Sequence, residues 1–97
     1  MERHKSLNIH VGEILKEDII DPANLTIGDA SKLLNTTRLT LSKIINGKSS
    51  ITPDMALRIS YVFGGSADFW LRLQRKHDLA QAQDNFNAQT LKKHSYN

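Results

Sequence analysis

The chain of 97 residues contains no cysteine, which excludes both a disulfide framework and a thiolate metal site. No apolar run approaches the roughly 18 residues of a membrane-spanning helix, and the polar start at Met1 to Ser6 lacks the apolar segment of a signal peptide. The four histidines show no i, i+4 spacing, and there is no glycine-rich phosphate loop. We therefore expect a cytoplasmic protein with no metal, no cofactor and no catalytic activity.

Acidic residues are absent from one long stretch, between Ala30 and Pro53, although the net charge of the whole chain is only +3. The basic residues of this stretch are Lys32, Arg38, Lys43 and Lys48. Because attraction to phosphate depends on local clustering of positive charge, the stretch indicates binding to nucleic acid. The alternative is an ordinary solvated helix face, so the surrounding pattern has to decide between the two.

That pattern is a helix-turn-helix over residues 26–46. Thr26 can cap a first helix, and Asp29 three residues later can complete a capping box. A break at Asn35-Thr36 follows, and Thr37 can cap a second helix. The expected inward-facing residues of the two helices are Ala30, Leu33, Leu34, Leu41, Ile44 and Ile45. In such a motif the second helix can enter the major groove of DNA.

The outward-facing residues of the motif are the candidate DNA contacts. They are Thr26, Thr37, Arg38, Leu39, Thr40, Ser42, Lys43, Asn46 and Lys48. Arg38 lies in the first turn of the second helix, where a bidentate contact to guanine and a phosphate contact are both open. Lys43 and Lys48 suit phosphate better, because a flexible point charge reads sequence poorly. Leu39 can contact a thymine methyl group or simply be exposed.

Three further helices are expected around this motif. The first runs from Gly12 to Ile20, because the residue before Pro22 is pushed out of the helical region. The other two run from a Thr52-Pro53 start to Gly64-Gly65 and from Ser66 to about Gln83. Their expected buried side chains are Ile14, Leu15, Ile19, Met55, Ala56, Ile59, Val62, Phe63, Phe69, Trp70 and Leu73. The prediction is one all-α domain at 10–83, with a mobile arm at 1–9 and a helical or frayed tail at 84–97.

Four sequence blocks, in the same order, resemble HigA/VapI-type antitoxins of type II toxin–antitoxin systems, which carry a Cro/cI-like (XRE-type) helix-turn-helix. Residues 10–15 resemble the family's HPGEIL opening, 46–48 its NGK loop, 52–58 its TPEMALRL helix start and 69–74 its FWLNLQ block. Val11 replaces the family's usual proline, and Leu39 stands at a position that is often polar. Asn35 replaces a frequent glycine, and asparagine is the best tolerated other residue where the backbone is left-handed.

The resemblance implies a five-helix, lambda-repressor-like fold and a homodimer that binds a pseudo-palindromic operator on double-stranded DNA. It also implies a HigB-like toxin, a small ribonuclease that cuts mRNA, as a second partner. Because this toxin is expected to be basic, the candidate contacts are the acidic residues Glu13, Glu17, Asp18 and Asp21. A dimer interface can use the rest of the fifth helix, with Leu71, Leu79 and Ala82. A standalone regulator without a toxin, and an interaction module with a degenerate motif, stay open as alternatives.

Overall fold

A computed structural model describes residues 9–96, which form the predicted all-α domain without a β-strand in that range. Its helices are α1 (Val11–Leu15, continued by a π-helical turn Lys16–Ile20), α2 (Ile27–Leu33), α3 (Arg38–Ile45), α4 (Pro53–Phe63) and α5 (Ala67–Asp84). Among the described residues, no helix combines the length and apolarity that a bilayer crossing needs. Apart from Ile9, the arm predicted at 1–9 lies outside the described residues.

The core lies where the five helices meet. Its buried apolar side chains are Val11, Leu15, Ile20, Ala30, Leu34, Leu41, Ile44, Ile45, Ile51, Met55, Ala56, Ile59 and Trp70. α3 packs against both α2 and α1, and α5 packs against α4 and α1. Because every helix contributes to one core, the position of α3 depends on the whole domain rather than on the helix-turn-helix alone.

The first helix follows its predicted bounds but changes its hydrogen bonding halfway. The amide of Asp21 donates to the carbonyl oxygen of Lys16 at 2.8 Å, which is an i→i−5 bond. This wider turn rotates the side chains that follow, so Ile20 is only 1% exposed while Ile19 and Ile14 are partly buried. Ile19 packs against the core as predicted, but the sequence pattern did not anticipate the burial of Ile20, because a 3.6-residue period cannot reveal a π-helical turn.

The helix-turn-helix begins with the predicted capping box. The hydroxyl of Thr26 accepts from the amide of Asp29 at 3.0 Å, and the Asp29 carboxylate accepts from the amide of Thr26 at 3.3 Å. Asn35 has φ 54°, which confirms the predicted left-handed turn. The inward position predicted for Leu33 is wrong, since Leu33 is 53% exposed and Leu34 is buried. The helix ends at Leu33, whose side chain lines a surface groove with Leu57 and Tyr61 instead of the core.

α4 and α5 start at the predicted caps, where the hydroxyls of Thr52 and Ser66 accept backbone amides. Trp70 is buried, but Phe69 is 42% exposed and lies edge-on against Trp70, with ring centroids 5.3 Å apart. The predicted core position of Phe69 is therefore wrong. The rotation of about 100° per residue places Phe69 at the edge of the buried face that Trp70 and Gln74 occupy. The inward face of α5 continues from Trp70 to Gln74, which is also buried.

The tail predicted at 84–97 leaves the helix after Asp84. Residues 86–96 contain only an isolated turn at 89–90, and all of their side chains are exposed. The composition explains this, because a segment rich in asparagine and glutamine has little apolar surface to bury.

Candidate nucleic-acid interface

The outer face of α3 presents most of the predicted DNA contacts to solvent. Thr37, Arg38, Leu39, Thr40, Lys43, Asn46 and Lys48 are exposed, and Ser42 is half-buried. On the opposite face, Leu41, Ile44 and Ile45 are buried and fix the helix to the core. This one-sided packing leaves the polar face available to a DNA groove.

Within residues 9–96, the cations of this face form no ion pair. The ion pairs found in residues 9–96 join Lys16 to Asp21, Arg58 to Asp54 and Arg72 to Asp68. None of them involves Arg38, Lys43 or Lys48. A cation without a carboxylate partner keeps its full charge for phosphate, and Arg38 additionally lies at a helix N-terminus, where the helix dipole disfavours a cation. An anionic partner would offset this unfavourable interaction of Arg38 with the helix dipole.

Several polar side chains of α3 orient one another. The hydroxyl of Thr37 accepts from the amide of Thr40 at 3.0 Å and donates to the Thr40 hydroxyl at 2.8 Å. The side-chain amide of Asn46 donates to the carbonyl oxygen of Ser42 at 2.9 Å and to its hydroxyl at 3.2 Å. These bonds fix side-chain positions and leave the Thr40 hydroxyl hydrogen and the Asn46 carbonyl oxygen free for a ligand.

Thr26 and Arg38 both lie near Gly28, although they belong to different helices. A Cβ atom built on Gly28 would lie 3.7 Å from Oγ1 of Thr26 and 4.0 Å from Cδ of Arg38. The first turn of α2 therefore lies beside the start of α3. Because the Thr26 hydroxyl already accepts the amide of Asp29, its main role in the free protein is to cap α2.

Arg58 on α4 holds the turn between α2 and α3, a role that the sequence analysis missed. Its guanidinium donates to the carbonyl oxygens of Leu34 at 3.0 Å and Asn35 at 2.8 Å, and it pairs with Asp54 at 2.9 Å. These carbonyls belong to the end of α2, which leaves its last acceptors without helical partners. The only sequence signal was the place of Arg58 in the family-like block at 52–58.

Gln74 on α5 holds the loop that follows α3, and the sequence analysis missed this role too. Its side-chain carbonyl accepts from the amide of Ile51 at 2.8 Å, and its side-chain amide donates to Asp78 at 2.9 Å. Gln74 is only 8% exposed, so the bond to Ile51 is shielded from water. A polar residue one turn after the buried Trp70, within an otherwise apolar stripe, was the signal that could have revealed it.

The four predicted toxin contacts lie on α1 and directly after it. Glu17, Asp18 and Asp21 are exposed, whereas Glu13 is half-buried. Asp21 pairs with Lys16 at 2.9 Å, and this hydrogen bond raises the pKa of Lys16 above its ordinary value. Glu17 and Asp18 are thus the two carboxylates of this group that are both exposed and without an ion pair among the described residues.

Comparisons with known proteins agree with this geometry. Residues 15–70 match the family model described as helix-turn-helix, HTH_3. An uncharacterized HTH-type transcriptional regulator of Haemophilus influenzae is 41% identical over 75 residues, which cover 77% of this chain and 70% of the relative.

Two solved structures share the fold over nearly the whole chain. An addiction module antidote protein of the HigA family from Coxiella burnetii has a TM-score of 0.80 at 31% identity, covering 91% of this chain and 98% of that one. The antitoxin HigA of Pseudomonas aeruginosa, solved with the higBA promoter, has a TM-score of 0.82 at 28% identity, covering 91% and 96%. The predicted resemblance is confirmed, and the chain belongs to the helix-turn-helix family HTH_3, with HigA antitoxins among its structural neighbours.

Proposed function

We propose that the chain is an operator-binding repressor whose helix α3 enters the major groove of double-stranded DNA. The observation that carries this proposal is the acid-free outer face of α3 and the loop after it, where Arg38, Lys43 and Lys48 have no ion pair within residues 9–96. The structure of a related HigA with a promoter supports it. In this proposal the protein acts by binding rather than as an enzyme, and it acts in the cytoplasm.

The side chains of α3 and of the loop after it have different proposed roles in DNA recognition. Arg38, at the start of the helix, suits guanine or a phosphate, and Thr40 adds a short donor beside it. Lys43 and Lys48 suit phosphates, because an ammonium group on a flexible stem contributes charge but little geometry. Leu39, with 65% of its surface exposed, suits the methyl group of a thymine.

The active form is proposed to be a homodimer on a pseudo-palindromic operator. A single recognition helix reads few base pairs, whereas two copies read half-sites about 34 Å apart along the DNA axis. An apolar strip on α5 and the residues after it supports this arrangement. Leu79 is 56% and Phe86 68% exposed, and both line one shallow groove together with Ala82. Leu71 lines a neighbouring groove with Leu79 and Ala82, in line with the predicted dimer surface.

The second proposed partner is a HigB-like toxin, which the chain would neutralise by direct binding. This part rests on the HigA relatives, while Glu17 and Asp18 offer free negative charge to a basic partner. The alternative is a standalone regulator, as the name of the Haemophilus influenzae relative suggests. A toxin gene beside the gene of this chain, and a stable complex after co-expression, separate the two.

DNA binding is tested with a labelled duplex from the region directly upstream of the chain's own gene. We expect a complex that unrelated competitor DNA displaces poorly. Its affinity should fall steeply with salt, because several phosphates are neutralised. Equal affinity for upstream and unrelated duplexes at every salt concentration contradicts a sequence-specific repressor and leaves the interaction-module alternative.

A further inference from the structure

His10 occupies the N-cap of α1 and contacts the end of α3 at the same time. Its Nδ1 atom accepts a hydrogen bond from the amide of Glu13 at 3.2 Å, in an extended backbone conformation typical of an N-cap. A Cβ atom built on Gly47 would lie 3.0 Å from Cδ2, 3.2 Å from Cγ and 3.3 Å from Nε2 of His10. The imidazole ring therefore lies flat against the glycine that ends the recognition helix.

The backbones of α1 and α3 also touch directly next to this ring. A Cβ atom on Gly12 would lie 1.9 Å from the carbonyl oxygen of Ile44, so only glycine allows the approach. Gly47 has φ 74°, a left-handed conformation that turns the chain away from α3. The amide of the next residue, Lys48, donates back to the carbonyl oxygen of Lys43 at 2.8 Å. The position of Lys48 thus depends on the turn that the ring supports.

We infer that His10 is a positioning residue for DNA binding, which holds the Asn46–Lys48 loop in place only while its imidazole is neutral. A neutral imidazole can accept at Nδ1, whereas the imidazolium has protons on both nitrogens and accepts nothing. Protonation of His10 must therefore break the bond from the Glu13 amide. That amide keeps a second acceptor, the carbonyl oxygen of His10 at 3.1 Å. The helix consequently stays folded while the ring loses its anchor.

Ionisable groups of three elements lie near the ring, and two of them are acidic and two are basic. Glu13 lies on the same helix, Lys48 in the loop, and His77 and Asp78 on α5. The His10 and His77 rings are 6.2 Å apart at 75°, so a second imidazolium would repel the first. Asp78 already accepts a hydrogen bond from the side-chain amide of Gln74 at 2.9 Å. Because the imidazolium cannot accept the hydrogen bond from the Glu13 amide, protonation of His10 releases the ring from the loop.

This inference rests on the proposed DNA binding. The direction in which DNA affinity changes with pH distinguishes it from a simple charge effect. A new imidazolium near DNA would by itself strengthen binding as the pH falls, because it adds a phosphate-neutralising charge. A positioning role predicts the reverse, since Lys48 loses its support.

The first experiment needs no DNA and follows the amide resonances of the loop by NMR in the intact protein. Between about pH 7.5 and 5.5 we expect the Gly47 and Lys48 amides to shift together with the His10 ring. In His10→Asn the side-chain oxygen can still cap α1 but does not titrate, so the shifts should disappear. His94→Gln, in the tail, is the matched control and should keep them. Loop amides that ignore pH, or that respond equally in His10→Asn, overturn the inference.

The second experiment measures affinity for the upstream duplex at constant ionic strength. We expect binding by the parent chain and by His94→Gln to weaken about fivefold from about pH 7.5 to 5.5, because one cation, Lys48, loses its place against phosphate. His10→Asn should show no such loss. Affinity that rises on acidification in the parent overturns the positioning role. If the loop amides titrate as expected but no duplex is bound at any pH, the proposed function fails and the coupling within the fold stands.

Discussion

Arg58 donates a 2.8 Å hydrogen bond to the carbonyl oxygen of Asn35, the left-handed residue in the middle of the helix-turn-helix. A second bond of 3.0 Å reaches the carbonyl oxygen of Leu34. α4 thereby holds the angle between α2 and α3, although it contributes none of the predicted DNA contacts. The presentation of α3 to DNA is a property of these tertiary bonds as much as of the motif itself.

Replacing Arg58 by alanine should therefore destabilise the domain. We expect the free energy of unfolding in urea to fall by about 1–3 kcal/mol, because two carbonyl groups lose a charged donor. Arg72→Ala is the matched control, since Arg72 forms the same kind of i, i+4 ion pair, with Asp68 at 3.0 Å. An exposed pair of that kind contributes at most about 1 kcal/mol. Equal losses in the two variants would show that the bonds to the turn add nothing.

The left-handed backbone at Asn35 gives a second prediction. Its φ of 54° is open to glycine without strain, so Asn35→Gly should keep or slightly raise the stability. Asn35→Val should lower the free energy of unfolding by about 1–2 kcal/mol, because a β-branched residue is strained there. Thermal or urea unfolding measures both. A valine variant as stable as the parent would mean that the turn can relax into another conformation.

The helix starts were predictable because capping is a local property. Thr26, Thr37, Thr52 and Ser66 each accept an amide three residues later, as their types and positions indicated. Asn35 was predictable for the same reason, since few residues tolerate a left-handed backbone. The sequence therefore determined where the helices begin and which face of α3 is polar.

Burial at single positions depends on neighbours in space and was less predictable. Leu33 and Phe69 fit an apolar period but stand beside the residues that fill the core, so both are exposed. Ile20 is buried only because a π-helical turn rotates it inward. The contacts of Arg58 and Gln74 span 23 or more residues along the chain, a separation at which periodicity carries no information. Which residues position the DNA-contacting face was thus visible only in the fold.

Arg38 and Lys48 should differ in how their loss affects DNA binding. Arg38→Ala should weaken binding to the upstream duplex by about 1–3 kcal/mol and relax the preference at one base pair in each half-site. Lys48→Ala should weaken binding to all sequences alike and lower the slope of affinity against salt by about one unit. Fluorescence anisotropy at several salt concentrations measures both effects.

The matched control for these two variants is Lys76→Ala, which removes an exposed cation of α5 rather than of α3. It should leave base preference unchanged. If Arg38→Ala and Lys48→Ala bind like the parent at matched salt, α3 is not the helix that lies in the groove.

The apolar strip on α5 predicts the effect of a charge in the proposed dimer interface. Leu79→Glu should give a monomer in sedimentation experiments and a strongly reduced affinity for the operator, because a buried unpaired carboxylate is costly. Leu57→Glu is the matched control, since Leu57 is 60% and Leu79 56% exposed. Leu57 lies on α4 and lines a different groove, together with Leu33 of α2 and Tyr61 of α4. A monomer produced by Leu57→Glu alone would move the interface to that groove.

Toxin neutralisation is best tested at Glu17 and Asp18. Glu13 is half-buried and Asp21 is paired with Lys16, so reversing these two of the four acidic residues would change contacts within the chain as well as the charge offered to a partner. Glu17 and Asp18 are exposed, and their reversal should mainly change the charge offered to a basic partner. We therefore use the double variant Glu17→Lys, Asp18→Lys.

In co-expression, the neighbouring toxin should arrest growth alone, and the parent chain should relieve the arrest and co-purify with it. The double variant should lose both rescue and co-purification while it binds the upstream duplex at least as well as the parent, because added positive charge cannot weaken attraction to phosphate. Retained operator binding shows that the variant is folded, so a lost rescue then reports on the toxin contact itself. Rescue by the double variant would place the toxin contact on another surface. Arrest that persists with the parent chain in excess would leave a repressor that has no toxin to neutralise.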